Sequence, residues 1–207
     1  MKISPAICLL LITILIMGKE AISQPQLKKI TDTNGNVYLI KILPDNTQWL
    51  ATNLNIQIED SWCYDDNPEN CKQYGRLYTF DSALKACPFL GEEWRLPTNQ
   101  EWEAMVQIYG GVRDRSTDDG KAAFKALIAG GESGFDILFG GNREADGKSY
   151  TRLNAHGFYW TATANADWTA WFYNLGANGK IVNRHGDGDR QEAVSVRCIR
   201  HVENKKK

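Results

Sequence analysis

Residues Gly75–Trp102 read GRLYTFDSALKACPFLGEEWRLPTNQEW, and this segment is the most informative part of the chain. Its first apolar residues recur at i, i+3, i+4 and i+7, namely Phe80, Ala83, Leu84 and Cys87. That spacing predicts a helix whose apolar stripe carries Cys87. Thr79 precedes the stripe and has a side chain suited to cap the helix N-terminus.

A second helix is predicted from a capping box, in which Thr98 and Glu101 each satisfy a backbone N–H of the first turn. Its apolar positions keep helical spacing, at Trp102, Met105, Val106 and Tyr109. Gly110 and Gly111 then end it. A weaker third helix is predicted over Lys121–Ala129.

Short strands with tight turns account for the rest of the chain. Asn34-Gly35 predicts a hairpin between Lys28–Asp32 and Asn36–Leu43. Later strands are predicted at Phe135–Phe139, Phe158–Thr163, Thr169–Leu175, Lys180–Asn183 and Ala193–Val202, with turns at Asp146-Gly147 and Asn178-Gly179. The pattern indicates an α+β domain of two to three helices packed on short antiparallel sheets.

The N-terminus has the three parts of a secretory signal. Lys2 precedes an apolar run over Ile7–Met17, and Ala21-Ile22-Ser23 fits a cleavage site before Gln24. An uncleaved anchor is the alternative, but the run of about 11 residues is shorter than the roughly 20 that span a bilayer. Cys8 lies inside the run, so lipid attachment at this cysteine is not expected.

We therefore expect an exported protein, in the periplasm, on the cell surface or outside the cell. Residues 1–23 form the signal peptide, 24–27 a short lead, 28–202 one domain and 203–207 a basic tail. Signal removal takes away Lys2, Lys19 and Glu20, which leaves 22 basic and 24 acidic residues of the original 24 and 25. This balance favours neither nucleic acid nor anionic lipid as a partner. No later segment predicts a membrane span.

The mature chain retains an even number of cysteines, at Cys63, Cys71, Cys87 and Cys198. An even count in an exported chain predicts two disulfides, for which three pairings are possible. The turn-forming residues between Cys63 and Cys71 make their pairing easy, which leaves Cys87 for Cys198. Strand alternation with Val194 and Val196 also turns Cys198 inward. A metal or redox pair is the alternative, but neither cysteine has a Cys-x-x-Cys neighbour.

Several motifs together resemble the Fibrobacter succinogenes major paralogous domain over about residues 28–201. They are Trp49-Leu50-Ala51-Thr52-Asn53-Leu54, Tyr74-Gly75-Arg76-Leu77-Tyr78, Ala86-Cys87-Pro88, Trp94-Arg95-Leu96-Pro97-Thr98, Gly157-Phe158-Tyr159-Trp160-Thr161-Ala162-Thr163 and Ser195-Val196-Arg197-Cys198. The resemblance implies a C-type lectin-like fold on an exported bacterial protein, typically of the Bacteroidetes group. The Arg-Leu-Pro-Thr run and the Arg-Cys ending also resemble formylglycine-generating enzymes.

Catalysis is not indicated by the residues. Formylglycine-generating enzymes need a reactive cysteine pair, whereas each cysteine of the mature chain has a structural partner in the predicted pairing. His156, His185 and His201 are scattered, and no nucleophile or phosphate-loop motif is present. We predict no enzyme activity and no cofactor.

A candidate binding surface lies between Asn165 and Arg190, where aromatic rings with polar tips occur among charged residues. Its residues are Asp167, Trp168, Trp171, Tyr173, Arg184, His185, Asp187, Asp189 and Arg190. Alternation puts Trp168 and Phe172 on one face and Trp171 and Tyr173 on the other, so at most one of these sets is the core set. The alternative is that both faces are buried.

Asp187 and Asp189 could hold calcium through hard carboxylate oxygens, but further acidic ligands are missing. A glycine-rich hairpin tip explains this segment more simply. We predict a non-catalytic module that recognises a protein or glycan ligand at or beyond the cell surface. The alternatives are a structural or tip subunit of a surface appendage and an enzyme of formylglycine-generating type. The sequence leaves the oligomeric state open.

Overall fold

The structure, a computed structural model, describes residues 27–202. Its helices are α1 (Pro68–Tyr74), α2 (Phe80–Ala86), α3 (Asn99–Ile108) and α4 (Lys121–Leu127). Its strands are β1 (Lys28–Thr31), β2 (Val37–Ile42), β3 (Thr47–Leu50), β4 (Ser61–Trp62), β5 (Leu77–Tyr78), β6 (Gly140–Arg143), β7 (Tyr150–Leu153), β8 (His156–Ala164), β9 (Thr169–Gly176), β10 (Ile181–Asp189) and β11 (Ile199–His201). The predicted signal peptide, the lead up to residue 26 and the basic tail lie outside the described residues.

The two capped helices are confirmed. Thr79 accepts a hydrogen bond from the backbone N–H of Ser82 at the start of α2. At α3, Thr98 and Glu101 form the reciprocal capping box that the sequence predicts. The third helix, α4, ends at Leu127, two residues before the predicted end. In residues 27–202, no helix combines the length and the apolar character needed to cross a bilayer.

The fourth helix corrects the prediction of two to three helices. We expected only a turn between Cys63 and Cys71, but α1 begins at Pro68 in this interval. Asn67 caps the helix by accepting a hydrogen bond from the Glu69 N–H. Proline at the first helical position costs no hydrogen bond, because that N–H has no partner inside a helix. The same Asn-Pro pair therefore starts a helix here and not only a reverse turn.

The strands form two main sheets. One has the order β1-β2-β3-β11 and is antiparallel, so β3 lies between the predicted first hairpin, β1-β2, and the last strand. The other has the order β10-β9-β8-β6-β7, with β6 parallel to β8. The predicted turns at Asp146-Gly147 and Asn178-Gly179 join β6 to β7 and β9 to β10. The small pair β4-β5 completes the α+β domain.

Three strand predictions need correction. Phe135–Phe139 is not a strand, because only Ile137 makes a bridge there, to Ile128. Within Ala193–Val202 only the three residues of β11 form a strand. The strand predicted over Lys180–Asn183 continues to Asp189, so Asp187 and Asp189 lie in β10 and not at a hairpin tip.

The sheet containing β8 and β9 separates two apolar clusters. Trp160 of β8 faces the first cluster, which contains α2 and the Cys87–Cys198 bridge. Its chain neighbour Tyr159 faces the second cluster, which contains α3 and α4. Strand alternation thus sends neighbouring aromatic side chains into opposite cores. Both faces are covered there, and Tyr159, Trp160 and Tyr173 have no exposed surface.

Both predicted disulfides are present. Cys63 bonds Cys71 across 8 residues, and Cys87 bonds Cys198 across 111 residues. Cys87 and Cys198 are fully buried, as the helix stripe and the strand alternation require. The longer bridge ties the end of α2 to the residue that precedes β11.

A buried arginine joins the segments around these clusters. Arg197 has no exposed surface, and its guanidinium donates to the Asn53 Oδ1 at 2.7 Å and to the Leu50 carbonyl at 3.2 Å. It also donates to the Phe135 and Asp136 carbonyls, at 2.9 and 3.1 Å. Burial lowers the pKa of Arg197 from its ordinary value. The charge is therefore held by neutral acceptors in the interior.

Removing the long disulfide should destabilise the fold more than removing the short one. In the chain-entropy model, Cys87→Ala with Cys198→Ala costs at most about 4 to 5 kcal/mol, whereas Cys63→Ala with Cys71→Ala costs about 2 to 3. Urea unfolding of the two double variants measures the difference. An equal or reversed order would contradict the loop-length explanation.

Replacing Arg197 should leave several buried acceptors without a donor. We expect Arg197→Met to lower the free energy of unfolding by at least about 3 kcal/mol. Arg200→Met is the matched control, because Arg200 is partly exposed and its ion pair is with the exposed carboxylate of Glu93, so we expect a smaller loss. Chemical denaturation measures both variants, and equal losses would contradict the assigned role of Arg197.

Candidate functional site

Four of the nine predicted site residues meet at one end of the β9–β10 hairpin. Together with two residues that the prediction did not include, they line an open cleft of about 270 Å³, which we call the Trp168 cleft. Its lining residues are Asp81, Asp167, Trp168, Asp189, Arg190 and Gln191. The cleft is formed where the turn before β9, the end of β10 and the start of α2 meet.

Trp168 is the most exposed large apolar residue of the described chain, with 71% of its surface accessible. Its backbone is nevertheless fixed, because its carbonyl accepts a hydrogen bond of 3.1 Å from the Arg190 N–H. The turn before β9 is closed by a further bond of 2.9 Å from the Asn165 N–H to the Thr169 carbonyl. The Trp168 indole is thus exposed on a backbone segment that hydrogen bonds hold in place.

Arg190 joins the three segments of the cleft. Its guanidinium donates to the Asp167 carbonyl at 2.9 Å and to the carboxylate of Asp81. It also lies over the ring of Phe80, 4.7 Å from the centroid. The main-chain carbonyl of Arg190 accepts a hydrogen bond from the Phe80 N–H, which fixes the start of α2 beside the cleft.

Trp171, Arg184 and His185 lie further along the hairpin and are held by other protein groups. Arg184 donates to Glu103 at 2.7 Å and to Asp114 at 2.9 Å, and its guanidinium lies 5.8 Å from the Trp171 ring. The hydrogen bond to Asp114, opposed by burial, raises the pKa of Arg184. His185 is exposed and stacks on Phe172 at 5.2 Å. These three residues do not line the cleft.

Tyr173 corrects the expected surface. It has no accessible surface and stacks on Trp102 of α3 with 5.1 Å between ring centroids. Its hydroxyl donates to the Asn99 carbonyl at 3.2 Å. Alternation places Trp171 and Tyr173 on one face, but α3 covers that face only at Tyr173 and leaves Trp171 partly exposed. Tyr173 is therefore a core residue.

Asp187 is exposed at an irregularity in β10. The register with β9 shifts between His185 and Gly188, as in a β-bulge. Gly188 is required here, since a Cβ would lie 2.6 Å from the Phe172 ring. Within residues 27–202, no group of three or more His, Cys, Asp and Glu side chains is arranged to hold a metal ion. The expectation of no cofactor, with calcium at Asp187 and Asp189 as the less favoured alternative, stays a prediction.

Sequence reasoning missed Asp81 and Glu192 near this surface. Asp81 has a local signal, an acidic residue in the first turn of a predicted helix, but nothing in the sequence pairs it with Arg190. Glu192 follows the cleft residues directly and is half-buried. Burial first, and the charge of Glu144 next, raise the pKa of Glu192 from 4.5 to about 7.

Comparison with known proteins gives a family for the chain. The family model described as the Fibrobacter succinogenes major domain matches residues 43–200. No curated protein matches the sequence, and no solved structure matches it. The matched residues include the whole Trp168 cleft.

The raised pKa of Glu192 should make stability fall with rising pH. The folded state binds the proton more tightly than the unfolded state, so this contribution is full below about pH 4.5 and is lost as pH rises through about 7. We expect Glu192→Gln to gain about 1 to 2 kcal/mol over the wild type at pH 8, after discounting for partial solvation. Thermal unfolding at pH 4 and pH 8 measures the gain. If stability changed equally with pH in the wild type and in Glu192→Gln, the raised pKa of Glu192 would be contradicted.

Proposed function

The chain belongs to the Fibrobacter succinogenes major domain family, and from this premise we propose that it is an exported, non-catalytic binding module. Its ligand is a protein or glycan at or beyond the bacterial cell surface. The Trp168 cleft is the binding site, with Asp167, Trp168, Asp189 and Arg190 as its contact residues from the predicted set. We also propose a C-type lectin-like fold, which the adjacency of β3 and β11 supports.

The exposure of Trp168 carries the proposal. A tryptophan with most of its surface in water contributes little hydrophobic burial to the stability of the fold. Tryptophan is enriched among the residues that contribute most to binding, near the centres of interfaces. Its neighbour Arg190 fixes the backbone around the indole by three kinds of contact. Because the fold already orders this part of the backbone, a ligand would lose little binding free energy to ordering it.

Export is supported by the two disulfides, since such bonds persist in oxidising compartments. The same bonds support a non-catalytic role. Both cysteine pairs of the described residues are oxidised, so this part of the chain offers no thiol for chemistry of the formylglycine-generating type.

An assembly role is the second candidate, and the outer edge of β10 favours it. β10 is the last strand of its sheet, and over residues 183–188 no other described segment forms backbone hydrogen bonds to its free side. A strand from another subunit could pair there by β-augmentation. In that case the partner would depend on the backbone of β10 and not on the Trp168 indole.

Binding through the cleft should be lost when the indole is removed. We expect the mature protein to bind at least one ligand on a glycan array or on an array of purified surface proteins. Trp168→Ala should weaken that binding by about tenfold or more, as truncation of a central aromatic residue does. Biolayer interferometry with the captured ligand measures the ratio.

Phe89→Ala is the matched control, because Phe89 is a second exposed aromatic residue, with 59% of its surface accessible, outside the cleft. Binding that is insensitive to Trp168→Ala but is lost when proline enters β10 would favour the assembly role. Equal losses in the Trp168 and Phe89 variants would contradict a site at the cleft.

A further inference from the structure

Acidic groups outnumber basic groups around the Trp168 cleft. Asp81, Asp167 and Asp189 line it, and Arg190 is the only cation among its lining residues. Asp187 adds a further exposed carboxylate two residues before Asp189. Asp189 and Asp187 also contribute to the raised pKa of Glu192, which reports a negative potential at this end of β10.

The single cation is already engaged. Arg190 pairs with Asp81, donates to the Asp167 carbonyl and covers Phe80. Within residues 27–202, the carboxylates of Asp167 and Asp187 accept no hydrogen bond, and Asp189 accepts one, from the Gln191 N–H. The cleft therefore presents carboxylate acceptors that a ligand could satisfy, beside an exposed indole.

Ionised carboxylates only accept hydrogen bonds, whereas guanidinium and ammonium groups only donate them. The face of an indole also attracts cations, by an electrostatic interaction with the ring quadrupole. A neutral glycan presents acceptors as well as donors, and Arg190, the one cation among the lining residues, already donates to two protein groups. The chemistry thus favours a cationic ligand group over a neutral one.

We propose that the Trp168 cleft binds a basic side chain, arginine or lysine, of a protein partner. The side chain packs on the Trp168 indole and pairs with the carboxylates of Asp167 and Asp189. This inference rests on the proposed function and specifies the ligand class of the same site. Arg190 keeps its contacts and serves to hold the two acidic segments in place.

Nuclear magnetic resonance of the full mature chain, with both disulfides formed, can test the ligand class. The seven tryptophans give separate indole N–H signals, and Trp168→Phe identifies the one from Trp168. Capped tetra-arginine and tetra-lysine are the probes. Capped tetra-citrulline is the neutral control, because citrulline keeps the shape of arginine without its charge.

We expect the basic peptides to shift the Trp168 indole signal in a saturable way and tetra-citrulline to leave it unchanged. Asp167→Asn with Asp189→Asn should weaken binding by about tenfold. Raising the salt from about 0.1 to 1 M, which shortens the Debye length from roughly 10 to 3 Å, should weaken it as well. The matched control is Glu92→Gln with Glu132→Gln, which removes two exposed charges that make no hydrogen bond or ion pair within residues 27–202.

The inference is overturned if neither basic peptide shifts the Trp168 signal, or if tetra-citrulline shifts it equally. It is also overturned if the two control charges matter as much as Asp167 and Asp189. A glycan that binds through Trp168 while the basic peptides do not would remove the inference and leave the proposed function standing. Failure of every arrayed ligand to depend on Trp168 would instead remove the proposed function.

Discussion

The buried guanidinium of Arg197 holds together segments that are distant in the sequence. Its donors reach the end of β3 at Leu50, the loop at Asn53 and the irregular segment at Phe135, so one side chain fixes the mutual position of three chain regions. Asn53 extends the network by donating to the Tyr74 carbonyl at 2.7 Å, at the end of α1. Because neutral acceptors satisfy a buried charge only when all are in place, this network selects one arrangement of the loops.

The β9–β10 hairpin depends on this arrangement for the surface it presents. Side chains of β9 enter the cluster that contains α3 on one face and the cluster that contains α2 on the other, whereas Trp168, the bulge near Asp187 and the turn at residues 178–180 are exposed. Trp168 precedes β9 and belongs to neither apolar cluster, so its indole is exposed. The contacts of Arg190 then attach this end of the hairpin to α2, which gives the cleft a fixed wall on each side.

Local signals explain which parts of the fold the sequence could predict. Thr79 and Thr98 predict the starts of α2 and α3 because each cap lies within one or two turns of its apolar stripe. The position of Cys87 on its stripe supports the pairing with Cys198 that the local Cys63–Cys71 pair leaves open. Tyr173 shows where this reasoning stops, since alternation assigns residues to faces but does not say how far α3 covers one of them. The pairing of Asp81 with Arg190 was equally out of reach, because it joins residues 109 positions apart.

The bond between Cys87 and Cys198 also determines how the molecule would respond to mechanical load. A pull on β1 and β11 is transmitted through the sulfur atoms, so the 111-residue interval between them cannot be drawn out while the bond is intact. At about 3.3 to 3.6 Å per residue, this removes roughly 370 to 400 Å of extension. Trp168, Asp189 and Arg190 all lie inside the locked interval. While this bond is intact, a pull on the two ends of the domain does not stretch the segment that carries the exposed indole.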